Sequence, residues 1–309
     1  MHHIITALIP IFSLILIGYF FKKTSFPSTD FWPNADKLTY YILMPSLLVY
    51  KLSHASLEAL KDVNFILTGL GGILVLTFIL LLIQKSTKMD GASFTSITQG
   101  AIRFNTYVFL ALSSSLFGDE GLIISVLLIT FVIPLINVVC IVFFSLFTNK
   151  TELSFISLLK SIFSNPLIIA CLLGGSINFI GINIPISVEK VFYILSLAAL
   201  PMGLLSVGVG FELSGFKDLK MYIFVSSASK LILLPVIMYI IGIMIGLNSL
   251  SLSILLIFSA MPTAPSAYIL ARQLGGNTKL MSSIITLQTF LSIFTIAIII
   301  KFLEYMNYL

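Results

Sequence analysis

Long apolar stretches separated by short polar ones make up almost the whole chain. Ten stretches approach the roughly 20 residues that a helix needs to cross a hydrocarbon layer. They cover residues 4–21, 35–52, 63–83, 92–116, 122–147, 156–180, 188–211, 222–247, 250–274 and 280–303. Polar segments such as TSFPSTDFWPN, QKSTKMDG, FGDEG and TNKTELS close several of them. The pattern predicts an all-α polytopic membrane protein of ten transmembrane helices. Two of the stretches are not uniform. In the ninth, SAMPTAPSAYILARQLGG places Pro262 and Pro265 three residues apart. Neither proline has an N–H to donate, and each ring clashes with the preceding turn. A helix entering from Leu250 is expected to stop near Met261, and a second to restart at Pro265, where proline suits a first turn. The fourth stretch reads TQGAIRFNTYVFLALSSS and carries Gln99, Asn105, Thr106 and Tyr107 inside apolar sequence. Asn bonds local backbone groups in competition with a helix, so a break near Asn105 is expected. Backbone groups freed at membrane depth survive where they line a cavity or a binding site.

The halves of the chain look related. Pro10 and Pro166, Pro45 and Pro201, and Gly18 and Gly174 are each 156 residues apart. Asn105-Thr106 and Pro262-Thr263 are offset by 157, and LFGD and LGGN, beginning at Leu116 and Leu274, by 158. These pairs fall in stretches of equal rank: first with sixth, second with seventh, fourth with ninth. Five spans per half is an odd number, so the second half enters the membrane reversed, giving an inverted repeat of residues 1–149 and 150–309.

Composition narrows the class. Of the 309 residues 58% are hydrophobic and 9% charged, against about 25% charged in soluble domains. The net charge of +5 is scattered through short loops, which does not suggest nucleic acid. With the N-terminus outside, the inner loops and helix ends hold Lys22, Lys23, Lys85, Lys88, Lys150, Lys160, Lys217, Lys220, Arg272 and Lys279, whereas the outer ones hold only Lys51, Lys61, Lys190 and Lys301. That bias places both termini outside a cell membrane. No Lys or Arg precedes the first apolar run and Pro10 lies within it, so the N-terminus does not read as a cleavable signal. Cys140 and Cys171 lie in apolar runs with no metal or disulfide spacing, and read as core packing.

The acidic residues all fall in loops or near helix ends, but two cations do not. Arg103 is roughly 16 Å and Lys230 roughly 12 Å into a span, at 1.5 Å per residue. A charge at the bilayer centre costs at least about 2.5–3.5 kcal/mol, so both need partners. An anionic substrate is one. Snorkelling, carbonyls at a broken helix end, or an inward-folded Glu212 or Asp119 are others. Helix N-termini favour anions. A half-helix starting after Asn105, opposite Thr263, Ser266 and Tyr268 of the ninth stretch, therefore gives a site for a carboxylate or an ion. The candidate substrate-binding residues are Arg103, Asn105, Thr106, Pro262, Thr263, Pro265, Ser266 and Lys230. Thr and Ser here are equally consistent with helix packing.

The motifs RFNTYVFLALSSSLFGDEGL at 103–122, AMPTAPSAYILARQLGGN at 260–277, KLILLP at 230–235 and the YYILMPSLL run around Pro45 resemble the auxin efflux carrier family over nearly the whole chain. Its bacterial members include malonate- and malate-type carriers. The resemblance implies two inverted five-helix repeats, with the fourth and ninth helices broken and crossing near the midplane. It implies a scaffold of helices one, two, six and seven, often dimeric, elevator-like movement of helices three to five and eight to ten, and small organic anions as substrates. The family's usual proline near the fourth-helix crossover is absent, its positions being Phe104 and Leu112. The plant members' long central loop is replaced by TNKTELS, so a short prokaryotic-type carrier is expected.

A sodium-coupled symporter of the bile-acid carrier type has the same helix plan, with Thr and Asn oxygens as Na⁺ ligands. Proton coupling is equally open, with Gln99 and Lys230 as candidate coupling residues. No cofactor beyond Na⁺ or H⁺ is expected. An intramembrane enzyme needs a nucleophile–base pair or metal ligands, yet His2, His3 and His54 lie at ends or loops, and HExxH and Gly-x-Ser-x-Gly are missing. A membrane sensor that binds an organic anion without moving it is the remaining alternative. The expected partners are the bilayer, a small organic anion and a second copy of the chain through the scaffold helices.

Overall fold

A computed structural model describes residues 2–55, 62–148, 164–211 and 220–308, with residues 2–5 as backbone. The repeat boundary at 149/150, most of TNKTELS, the start of the sixth run, four cations of the orientation argument (Lys61, Lys150, Lys160, Lys217) and Glu58, Glu152, Glu212 and Asp218 lie outside the described residues. The described chain is helical, with no strand in it.

In chain order the helices are α1 (His2–Lys23), α2 (Phe31–Leu38), α3 (Met44–Ser53), α4 (Val63–Thr87), α5 (Gly91–Ile102), α6 (Thr106–Thr148), α7 (Pro166–Ile180), α8 (Ile186–Val209), α9 (Lys220–Ala228), α10 (Leu234–Ile245), α11 (Ser249–Ser259), α12 (Ser266–Leu274) and α13 (Thr278–Tyr305). Among the described residues six helical stretches are long and apolar enough to cross a membrane: Thr6–Lys23, Val63–Thr87, Gly91–Thr148, Ile186–Val209, Lys220–Ile245 and Thr278–Tyr305. Within α6, Gly118 leaves the helix at φ 61°, so residues 106–117 and 119–148 are two helices in tandem.

Local chemistry sets the ends. Asp62, Asp90, Asn165, Asn248 and Asn277 each accept a backbone N–H in the first turn of the helix they precede. Such caps satisfy donors that have no partner inside the helix. Gly181, Gly246 and Gly275 end α7, α10 and α12 in the left-handed region that a residue without Cβ enters freely. Two mid-run prolines act differently. Pro45 and Pro235 follow π turns at Thr39–Leu43 and Ser229–Leu233. The wider turn accommodates the carbonyl four residues back, which the ring would otherwise strike. Pro10, Pro134 and Pro201 sit inside α1, α6 and α8.

The helices pack in two groups. One holds α1, α2, α3, α7 and α8, with α1 along α8 and α3 against α7 and α8; the other holds α4, α5 and α9 to α13; α6 touches both. Backbones approach closely where α1 meets α8. A Cβ on Gly18 would lie 2.0 Å from the Leu205 carbonyl oxygen, and one on Gly208 would lie 1.8 Å from that of Ile15. Small residues permit such contacts between apolar helices. Cys140 and Cys171 are buried and unpaired, as core packing requires.

Candidate functional site

The site is built where both broken stretches lose their helix. α5 stops at Ile102, and Arg103 turns to extended backbone (φ −72°, ψ 153°) while its N–H still bonds the Gln99 carbonyl. Asn105 then caps the restart, its Oδ1 accepting from the N–H groups of Tyr107 (3.1 Å) and Val108 (3.2 Å). A proline is not needed, because the amide side chain supplies the alternative backbone partner. Phe104, at one of the positions where the family's proline is usual, is buried with its ring edge-on to Phe109 and Phe258. In the other stretch α11 ends at Ser259 and α12 starts at Ser266, following Pro265.

The two breaks meet. The N–H of Asn105 donates to the Pro262 carbonyl at 2.7 Å. Thr263 gives its N–H to Gln288 Oε1 (3.0 Å), and its hydroxyl hydrogen to either Gln288 Oε1 or the Gly100 carbonyl, both at 2.7 Å. Gln288 Nε2 completes the knot on the Gly100 carbonyl at 2.9 Å. The backbone groups at Gly100, Asn105, Pro262 and Thr263 thus find partners without water, as burial demands. A Cβ on Gly100 would stand 2.2 Å from Ser226 Oγ and 2.7 Å from Ile284 Cγ2, so a side chain there would force these neighbours to shift.

Beside this crossover is a cavity of about 190 Å³. Its polar lining comes from Arg103, Thr106 and Ser266, joined by Tyr40, Asn137 and Asn165. Arg103 donates through Nη1 to Asn137 Oδ1 (3.2 Å) and through Nη2 to Ser266 Oγ (3.3 Å), and its Nε is buried without a partner. Both bonds exceed the roughly 2.7–2.9 Å of charge-assisted pairs with oxyanions. Ion pairs among the described residues join Lys51 to Asp119 and His54 to Glu189, and none involves Arg103. The arrangement can therefore accept a small anion.

The residues singled out from sequence divide by place. Arg103, Thr106 and Ser266 line the cavity; Asn105, Pro262 and Thr263 form the crossover; Pro265 precedes α12. Gln99 is buried with neither amide atom partnered, and is not in the cavity wall. Lys230 is fully buried in the second π turn, its Nζ 5.4 Å from the centre of the Phe258 ring with no hydrogen bond, and it too is absent from the cavity wall. Tyr40, Asn137, Asn165 and Gln288 were not expected. The last three are amides in or beside apolar runs, a signal as plain as that of Asn105.

The chain is similar in sequence to known proteins over most of its length. Residues 3–300 match the family described as "Membrane transport protein", which is auxin efflux carrier-like. A "Putative malonate transporter" of Rhizobium meliloti (strain 1021) is 22% identical over 308 residues, covering 94% of this chain and 93% of that protein. An uncharacterized transporter of Methanocaldococcus jannaschii is 24% identical over 299 residues, covering 92% and 94%. One of Methanothermobacter thermautotrophicus is 22% identical over 282 residues, covering 91% and 92%. With a match that runs nearly end to end, and with helices broken beside the partly buried Arg103, the chain belongs to the auxin efflux carrier-like membrane transport protein family.

Proposed function

We propose that the chain is a secondary transporter that moves a small organic anion, a carboxylate such as malonate, malate or an auxin-like acid, across the cell membrane by elevator-type alternating access. The observation that carries this reading is a guanidinium in a cavity at the crossover of two helix breaks, bonded among the described residues only to neutral side chains. A charge so placed needs a counter-ion, and a substrate carboxylate provides one.

The reading takes the fold as ten spans in two inverted repeats, 1–149 and 150–309. Contacts made twice support it. Lys22 Nζ donates to the Phe211 carbonyl and Asn178 Nδ2 to that of Ala55, with donors and acceptors each 156 residues apart. Asp90 and Asn248, the caps of the two helices that enter the breaks, are 158 apart. The group of α1, α2, α3, α7 and α8 is the scaffold, through which a second copy would dock, and the other group travels with the site. Both termini face outward, and Gln99 and Lys230 serve a coupling Na⁺ or H⁺.

The test is uptake of labelled small carboxylates into proteoliposomes, with and without sodium and pH gradients. Saturable uptake of one acid is expected, lost in Arg103→Gln and in Asn105→Ala while the purified variants stay folded. Unchanged transport in both variants would sink the site assignment. Binding without flux would make the protein a sensor.

A further inference from the structure

We propose that the cavity admits a single negative charge, so that its substrates are monocarboxylates, and dicarboxylates enter only with one carboxyl protonated. This rests on the transport reading above and specifies its substrate class.

The argument is a count of charges and donors. Among the described residues that line the cavity Arg103 alone carries a formal charge. Lys230, the other cation deep in a span, lies over the Phe258 ring and does not line the cavity. The remaining polar groups are neutral, and their oxygens are partly committed. Asn137 Oδ1 already accepts from Arg103, and Asn165 Oδ1 from the Leu167 N–H. That leaves their amide nitrogens, with the hydroxyls of Tyr40 and Thr106, to meet the far end of a substrate. Such a set donates to a carbonyl oxygen, and the hydroxyl oxygens can accept the hydrogen of a hydroxyl, amide or protonated carboxyl. The rest of the wall is apolar, made by Phe104, Ile133, Ile136, Leu167 and Ala264. One guanidinium neutralises one carboxylate, which can displace the long bonds to Asn137 and Ser266. A second carboxylate would sit without a cationic partner among mostly apolar walls, which disfavours the dianion. At about 190 Å³ the space is below the usual range for drug-sized ligands, roughly 300–1,000 Å³, which fits an acid of few heavy atoms.

Matched probes separate charge from shape. Malonate and succinate are compared with their half-amides, malonamate and succinamate, which keep the length and lose one charge. Uptake and mutual competition are measured in proteoliposomes of the full chain, at equal pH on both sides, at pH 8 and at pH 6. At pH 8 the half-amides are expected to be taken up at least about tenfold better than the dianions, tenfold being 1.4 kcal/mol. Acidification should raise dicarboxylate uptake several-fold relative to the half-amides, whose charge does not change and which thereby control for any coupled proton. A dianion carried as well as its half-amide at pH 8 overturns the one-charge reading while leaving the transport reading standing. A dianion preference that Lys230→Met abolishes overturns it too, by placing a second cation at the substrate. If no acid of the panel moves, the transport reading fails and this inference with it.

Discussion

The Gly100 carbonyl collects hydrogen bonds from two side chains of other segments, Thr263 and Gln288. They are not equivalent. Thr263→Val removes a hydroxyl and leaves Gly100 still bonded to Gln288. Gln288→Leu takes that bond away and also strands the buried Thr263 N–H. An unsatisfied buried group costs about 1–3 kcal/mol, more than the roughly 1 kcal/mol of an average hydrogen bond. Thermal unfolding in detergent should therefore show Gln288→Leu destabilised more than Thr263→Val; the reverse order would mean that Gln288 is not the organising amide. Much at this scale was legible. Arg103 stood out as a charge in an apolar run, and Asn105 as a helix-breaking amide. The partners of Arg103 were not, because Asn137 and Ser266 lie 34 and 163 residues away and meet it only through packing.

Helix ends were the most readable elements, since Asp, Asn and Gly mark them chemically. The fourth-run break was readable from Asn105 even without a proline. Asn105→Ala should cost about 1 kcal/mol through the lost cap, and Asn105→Ser, which keeps a capping oxygen, much less; equal melting temperatures would argue against the cap. The π turns before Pro45 and Pro235 were not readable, since a proline in an apolar run equally marks a kink or a plain helix, as Pro201 shows. Close approach of helices was likewise hidden, although Gly18 and Gly174 share the 156-residue spacing of the halves. Gly208→Ala would push a methyl into the Ile15 carbonyl and should destabilise by about 1–3 kcal/mol. Gly71→Ala, in the interior of α4 with nothing within 4 Å of the new methyl, should be neutral or gain up to about 1 kcal/mol. Chemical denaturation of the pair compares them, and similar losses in both would remove the packing argument.

Across the whole molecule, the paired spacings were visible in sequence, whereas the sorting of helices into two groups needed coordinates. Lys51 of α3 bonds Asp119 of α6 at 2.6 Å, tying the scaffold group at an exposed point to the helix that touches both groups. Such a pair contributes little to stability, about 0–1 kcal/mol, but it marks where relative movement can be arrested. With Cys140 and Cys171 buried, Lys51→Cys combined with Asp119→Cys and a short bifunctional thiol reagent should stop uptake, and cleaving the link should restore it. Full uptake by a fully linked protein would exclude sliding of one group on the other. The meeting of Asn105 with Pro262 has a mechanical corollary. Two helices pinned at their gaps, with Gln288 fastened across both, behave as a rivet rather than as a pair of hinges. Neither gap can bend without tearing bonds in the other, so under the proposed elevator movement the crossover would travel as one piece.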